Sequence, residues 1–373
     1  MMGKRVRLEN SSSASNCTHP GLIGGLCIKC GETMDNDDGF GGVALEYIHK
    51  RLRLSLEEII RLRDKDFRNQ LRQRKLYLVL DLDNTLLHSM DVNKIQENQE
   101  QFFLNRGIYK VERVRKMTKL RPFVHTFLEE ASKLFDMYVY TMGCRNYAVE
   151  MAKLLDPEGV YFNSKIIAHE NSTDKSKKGL DVVLGKENAV LILDDRESVW
   201  EGHRDNLILV EKYEFFGSGV TAGGTDDEND GVLDLVLKVL QRIHASFYDT
   251  EDLDTLLNRD VRRVLQDFRK EALKGCKIVF SGVLKPEKQH YWKLAEKLGA
   301  KCATKRGPGI THVVSLDSAS DLSCWAIREK RFLVNPEWID AARYLWQRQP
   351  EEKFPVTNEL KIAPVTSCSV EVC

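Results

Sequence analysis

Residues 76–89 read LYLVLDLDNTLLHS. The apolar run Leu76–Leu80 has the length and bulk of a strand buried on both faces, and it stops abruptly at Asp81. In open α/β sheets the carboxyl ends of the strands border the ligand crevice, so Asp81, Asp83 and Thr85 are expected to project into one. An Asp-x-Asp pair can equally end a strand and cap the following turn. A calcium loop does not fit. Counting from Asp81, Leu86 stands where the turn glycine belongs and Val92 where the bidentate glutamate belongs. What favours chemistry over a turn is the set of partners further along.

Working outward, 373 residues with 56 basic and 56 acidic side chains predict two or three domains. The balanced charge offers no global attraction for nucleic acid or a membrane, so neither is expected as a direct partner. No apolar run reaches the roughly 18 residues of a membrane span, and the basic, Ser-rich start lacks the apolar core of a secretory signal. An intracellular protein is expected. Nine cysteines, mostly scattered, fit free thiols in a reducing compartment better than a disulfide framework.

Residues 1–42 are polar and glycine-rich and read as a flexible N-terminus around one cluster, Cys17, His19, Cys27 and Cys30. Thiolates and an imidazole at this spacing can supply four tetrahedral zinc ligands, and a segment so poor in apolar residues would need a metal to fold. Incidental cysteines in a loose tail are the competing reading. The region 43–216 reads as an α/β domain. It opens with a helix from the capping box Ser55/Glu58, carrying Leu56, Ile59, Ile60 and Leu62 on one side and many arginines elsewhere. The arginines could guide an acidic partner or simply form a solvated face.

Asp91–Lys119 is charged and weakly patterned, and is expected to pass over the site edge as a loop. A helix carrying Phe123, Phe127, Leu128, Ala131, Leu134 and Phe135 leads into a second strand, Met137–Tyr140, which ends in Thr141. A helix over Asn146–Leu155 follows. Then comes a lysine-rich stretch with Lys175, Lys177 and Lys178, and a third strand, Ala189–Leu193, ending in Asp194 and Asp195. Three strands thus deliver Asp81/Asp83, Thr141 and Asp194/Asp195 to one sheet edge. A fourth, Leu207–Val210, extends the sheet. Residues 217–266 read as a linker and helical region, 267–356 as a second small α/β domain, and 357–373 as a disordered tail.

These residues suit phosphoryl transfer, which is mainly positioning plus charge neutralisation. A carboxylate can attack phosphorus only if the repulsion between two anions is offset. Asp81 is the candidate nucleophile, forming an aspartyl-phosphate, and Asp83 the acid and base that protonates the leaving oxygen and then activates water. Thr141 would donate to the phosphoryl oxygens and Lys178 would neutralise them. Asp81, the main chain at Asp83 and Asp195 would hold a hard ion such as Mg²⁺, with Asp194 nearby through water, and Mn²⁺ or Co²⁺ could substitute. Other phosphatase chemistries lack their residues: no cysteine is followed six positions later by arginine, and no Walker loop is present.

The motif at Asp81, Asp83 and Thr85 resembles the signature of the haloacid dehalogenase superfamily. More specifically, LVLDLDNTLL (78–87), Leu120-Arg121-Pro122, VYTMG (139–143), Leu155-Asp156-Pro157, LDDRESVW (193–200) and Tyr213-Glu214-Phe215-Phe216 resemble the TFIIF-associating phosphatases of the RNA polymerase II C-terminal repeat domain. In length the chain is similar to the short plant C-terminal-domain phosphatase-like proteins. The C-terminal stretch, with Phe280-Ser281-Gly282, Gly299-Ala300, Thr311-His312-Val313-Val314 and Trp338, looks like a BRCT domain.

The resemblance implies a haloacid dehalogenase-like Rossmannoid parallel sheet with helices on both faces, followed by a small α/β BRCT domain. It implies a nuclear, Mg²⁺-dependent serine phosphatase acting on the heptad repeat to regulate transcription, with Arg121 beside the phosphate and a general transcription factor such as TFIIF as partner. Leu322 stands where phosphopeptide-binding BRCT domains carry lysine, so a docking or structural role is expected there, with Trp338 in the core. A scaffold that only binds partners, and a phosphatase of another phosphoprotein or of a small ester, are the alternatives. The absence of a large cap favours an extended polypeptide substrate.

Overall fold

The computed structural model describes residues 17–34, 40–95, 106–216, 231–283 and 285–357. The expected linker at 217–230 and most of the expected tail lie outside them. Strands are numbered in chain order, beginning with β1 (Gly21–Ile23), β2 (Leu26–Cys27), β3 (Gly42–Ala44), β4 (Leu52–Ser55) and β5 (Leu76–Leu80). They continue with β6 (Leu87–Asp91), β7 (Tyr109–Val111), β8 (Lys116–Leu120), β9 (Phe135–Tyr140), β10 (Ile166–Ile167), β11 (Val190–Asp194) and β12 (Leu207–Leu209).

The larger architecture is a five-stranded parallel sheet of order β10-β9-β5-β11-β12. All five residues of β5 are buried, as a strand packed on both faces requires. The period of two divides them: Leu76, Leu78 and Leu80 join one core with Met137, Val139, Leu191 and Leu193. Tyr77 and Val79 join a second core with Tyr138, Tyr140, Val190 and Ile192. Helices Val124–Leu134, Arg145–Leu155 and Val232–Phe247 fill the first face. The last of these belongs physically to this core, although its sequence position suggested a region between domains. The second face is covered by Ile59 of helix Leu56–Gln73, by Leu45, Tyr47 and Leu54, and by the turn Leu180–Val182.

Two features depart from the sequence expectation. Residues within the expected flexible N-terminus pair with β4 into an antiparallel sheet, β2-β1-β4-β3. The stretch expected as a loop over the site forms a three-stranded antiparallel sheet, β6-β8-β7, with Met117 and Leu120 inward. In helix Leu56–Gln73, Ser55 accepts the Glu58 N–H, which is half of the expected capping box; the Ser55 N–H donates instead to Pro20 O and the Glu58 carboxylate accepts from Arg61. The buried residues of this helix are Ile59, Phe67, Gln70 and Leu71, while Leu56 and Ile60 are exposed.

The C-terminal domain is a second parallel sheet, order β14-β13-β15-β16, built from β13 (Lys277–Ser281), β14 (Lys301–Ala303), β15 (His312–Ser315) and β16 (Phe332–Val334). Helices Lys285–Lys297 and Glu337–Leu345 cover one face and Asp321–Arg328 the other. Trp338 is fully buried and its indole N–H donates to Gln349 O, so it is core. Gly299, at φ +94°, packs so close to Lys270 that a Cβ would lie 1.9 Å from its carbonyl oxygen. Among the described residues no helix is long and apolar enough to cross a membrane.

Candidate active site

The register of the central sheet sets the site. Leu80 pairs with Leu193 and with Val139, so Asp81 and Asp194, one residue on, and Thr141, two residues on, reach one edge together. Asp81 N–H donates to Leu193 O at 3.0 Å, which fixes its backbone to the neighbouring strand. Lys178, on the segment leading into the Leu180–Val182 turn, reaches the same point. Its Nζ lies 2.5 Å from Asp81 Oδ1 and 2.6 Å from Asp194 Oδ2, with no side-chain exposure. Asp194 also accepts from Trp200 Nε1 at 2.8 Å and from Arg196 N–H at 2.8 Å. Asp194 therefore holds the lysine in line while Trp200 and Arg196 hold Asp194.

Charge is concentrated here. Burial, reinforced by Asp194, pushes the Asp81 carboxyl up to about 8, against the pull of Lys178. Burial also opposes the charge on Lys178, but Asp194 and Asp81 outweigh it and raise its pKa. Asp195 is pushed up to about 6, by burial and then by Asp194. Carboxylate oxygens of Asp81, Asp194 and Asp195 all lie within 4.8 Å of one another. Three carboxyl groups crowd one ammonium, each disfavouring the ionisation of the others, and the donors are all oxygen. That set fits a hard divalent cation.

Asp83 occupies a different environment. Its carboxylate accepts from Tyr147 OH at 2.5 Å and from Thr141 Oγ1 at 3.3 Å, and Thr141 Oγ1 in turn accepts the Gly143 N–H at 2.9 Å. The side chains therefore separate into a metal-and-lysine cluster around Asp81 and a hydroxyl-lined pocket around Asp83. Three carboxylates gather, those of Asp81, Asp194 and Asp195, and the Asp83 carboxylate is committed to Thr141 and Tyr147, in keeping with an expectation that assigned only the Asp83 main chain to an ion.

Two residues sit differently from the sequence expectation. Thr85 does not project into the crevice: it is fully buried, and its Oγ1 accepts the Asp195 N–H at 3.1 Å, tying the β5 loop to the β11 loop. Arg121 is 2% exposed and donates to the carbonyls of Thr85, at 3.1 Å, and Glu211, at 3.0 Å. The structure places it beneath the Asp81 loop as a brace.

Tyr147 and Trp200 were missed as site residues. Trp200 ends the 3₁₀ turn Glu197–Trp200, which folds its indole back onto Asp194. Tyr147 lies in the first turn of the helix that leaves the Thr141 loop, four residues before buried Met151. An inward tyrosine at a helix start beside the strand ends was the available signal.

A second cluster lies in the N-terminal sheet. Cys17 Sγ and Cys27 Sγ are 3.8 Å apart, Cys30 Sγ and His19 Nδ1 3.6 Å, and all four ligand atoms fall within 4.8 Å of one another. Burial raises the Cys27 thiol, but the N–H groups of Cys30 and Lys29 outweigh it and bring it down to about 6. A tetrahedral zinc with bonds of about 2.3 Å to sulfur has a sulfur–sulfur edge of about 3.8 Å.

Comparison with known proteins follows the same division. Residues 76–254 match the NLI interacting factor-like phosphatase family and 268–342 the BRCA1 C Terminus (BRCT) domain. Over 382 aligned residues the chain is 48% identical to RNA polymerase II C-terminal domain phosphatase-like 4 of Arabidopsis thaliana, covering 94% of this chain and 86% of that one. It is 34% identical over 341 residues to RNA polymerase II C-terminal domain phosphatase-like 3 of the same plant, covering 82% of this chain and 27% of that longer relative. The solved structure of Fcp1, an essential RNA polymerase II CTD phosphatase, superposes with a TM-score of 0.64 at 23% identity. That match covers 79% of this chain and all of the other, and it shows the shared fold.

Proposed function

The chain belongs to the RNA polymerase II C-terminal domain phosphatase-like family and is a protein phosphatase, and we propose that it dephosphorylates serines of the polymerase's heptad repeats. The observation that carries the mechanism is the division of labour between Asp81, locked to Lys178, and Asp83, held by Tyr147 and Thr141.

Asp81 attacks phosphorus, and the bond to the serine oxygen breaks. Asp83 gives that oxygen a proton, so serine leaves neutral and an aspartyl-phosphate remains. Asp83 then takes a proton from water, whose oxygen attacks phosphorus and releases inorganic phosphate. Lys178 offsets the negative charge of the transferring group, and Thr141 donates to its oxygens once turned from Asp83. Asp81, Asp194 and Asp195, with the main chain at Asp83, would hold Mg²⁺, or Mn²⁺ or Co²⁺ in its place; the ion would supply further charge neutralisation. Arg121 contributes by bracing the nucleophile loop.

The substrate implies a nuclear location and a general transcription factor such as TFIIF as companion. Cys17, His19, Cys27 and Cys30 would hold a structural Zn²⁺. A non-catalytic scaffold is disfavoured by the Asp81–Lys178–Asp194 arrangement, since a buried charged cluster carries a desolvation cost that an apolar core at the same place would avoid. The test is hydrolysis of a phosphorylated heptad peptide with Mg²⁺. Turnover by the wild type and its loss in Asp81→Ala are expected; equal rates would sink the reading.

A further inference from the structure

A zinc centre at Cys17, His19, Cys27 and Cys30 would sit far from the phosphate in sequence, yet its sheet leads to the catalytic lysine. The N-terminal sheet is small: β1 and β2 have three residues and two, and their buried side chains are Leu22 and Cys27. So few apolar contacts cannot hold a hairpin in water without a cross-link. The hairpin is not isolated, however. β1 pairs with β4, β4 pairs with β3, and Ser55 N–H donates to Pro20 O at 2.9 Å.

The far side of this sheet touches the catalytic machinery. Leu45 and Tyr47, just beyond β3, are buried in the core that contains Leu180, Val182, Val183 and Trp200. Tyr47 OH donates to Val182 O at 2.8 Å. From helix Leu56–Gln73, which β4 leads into, Arg63 donates to the carbonyls of Leu180, Asp181 and Val183 at 2.7, 3.0 and 2.7 Å. These are the residues that follow Lys178. The turn after the catalytic lysine therefore has its carbonyls tied to one guanidinium and one phenol, both supplied by the N-terminal unit.

We propose that zinc on Cys17, His19, Cys27 and Cys30 locks the N-terminal sheet as a brace, through which Tyr47 and Arg63 position the Lys178 turn. Tyr47 and Arg63 are positioning residues. Neither touches the reacting atoms, and both act through the backbone that presents Lys178. A small misplacement of that ammonium lowers the rate of chemistry more than the affinity for peptide, because Lys178 faces the transferring charge.

The inference rests on the zinc reading, and the experiment separates the two. Full-length chain is purified without chelator and its metal content measured by mass spectrometry; one zinc per chain is expected, and none would overturn the centre itself. Cys30→Ser should lose the zinc, lose hydrogen-exchange protection at 180–184 while β5 and β11 stay protected, and lower kcat at saturating Mg²⁺ by about tenfold or more with KM nearly unchanged. Because Cys30→Ser could unfold the whole domain, Arg63→Lys and Tyr47→Phe form the second arm. They should keep the zinc and reproduce the loss of protection and of kcat. Zinc retained with kcat and protection at wild-type levels in both would overturn the coupling while leaving the metal centre standing. If the wild type hydrolysed no heptad peptide, the substrate reading would fail, and the exchange arm would still decide the brace.

Discussion

Tyr147 OH lies 2.5 Å from Asp83 Oδ1, closer than any hydroxyl approaches Asp81, the proposed nucleophile, among the described contacts. The phenol also lies 2.9 Å from Ser89 Oγ, which joins Thr118 Oγ1 at 2.9 Å, so Asp83, the proposed acid and base, is backed by a chain of hydroxyls. Asp83→Asn keeps the shape and the hydrogen bonds that its remaining oxygen can accept, but it cannot shuttle a proton. Its expected outcome is a normal melting temperature with kcat reduced by about a hundredfold or more. Tyr147→Phe removes only the orienting donor, and a loss of about tenfold in kcat with KM unchanged is expected. Near-normal turnover in Asp83→Asn would mean that the acid is another residue.

Lys178 is the only cation shown bridging Asp81 and Asp194 among the described ion pairs. Lys178→Met leaves two buried carboxylates without their partner, so it should cost both activity and fold. Breaking one side of such a pair typically destabilises by about 3–5 kcal/mol. Lys178→Arg keeps the charge, but a planar fork cannot replace a compact ammonium between two carboxylates at these distances. Both variants are expected to be inactive. Thermal melting with and without Mg²⁺ checks the stability half, because excess cation should recover part of the loss in Lys178→Met.

How much of this was legible depended on run length. Leu76–Leu80 and Val190–Asp194 could be read because each is an unbroken apolar strand ending in acid, and one sheet edge then collected the aspartates and Thr141. β1 to β4 could not, because strands of two to four residues are too short to establish a period. β8 reads KMTKL, whose buried Met117, Thr118 and Leu120 are masked by two lysines. In helix Leu56–Gln73 the apolar residues near the start gave the inner face only in part: Ile59 is buried and Leu62 packs beside the same core, Leu56 and Ile60 are exposed, and much of the buried surface lies further on, at Phe67, Gln70 and Leu71. Lys178 was named, yet only the fold distinguishes it from Lys175, which caps carbonyls, and Lys177, which pairs with Glu201 on the surface.

His312 makes the C-terminal domain sensitive to acid. Its ring stacks on Trp338, at 4.6 Å and 21°, and on Phe332, at 5.0 Å and 24°, with no side-chain exposure. Burial lowers its pKa to about 4, although Glu351, 3.3 Å from Nε2, opposes the shift. The unfolded chain binds a proton near pH 6.5 that the folded domain resists, so the stability contributed by the neutral ring is intact above about 6.5. It is lost as pH falls toward about 4, by about 3 kcal/mol in all. Melting of the C-terminal domain followed from neutral to acid pH should show this slope, and His312→Gln should flatten it. An unchanged slope in that variant would assign the sensitivity elsewhere.

Arg343 joins the C-terminal domain to the turn that carries Trp200. It sits on helix Glu337–Leu345, and its Nη2 lies 2.6 Å from Glu197 Oε2, the first residue of the turn that ends in Trp200. Trp200 holds Asp194, and Asp194 holds Lys178, so the ion pair connects through these contacts to the nucleophile. A partly buried pair of this kind is worth about 1 kcal/mol. If the pair acts through that turn alone, Arg343→Ala should lower kcat about two- to fivefold without altering KM. Glu197→Ala should do the same, and the double variant should lose no more than either single one, because both remove one interaction. The swap Arg343→Glu with Glu197→Arg should recover most of the activity. Additive losses in the double variant would show that the two residues act independently, and the domain contact would then be structural alone.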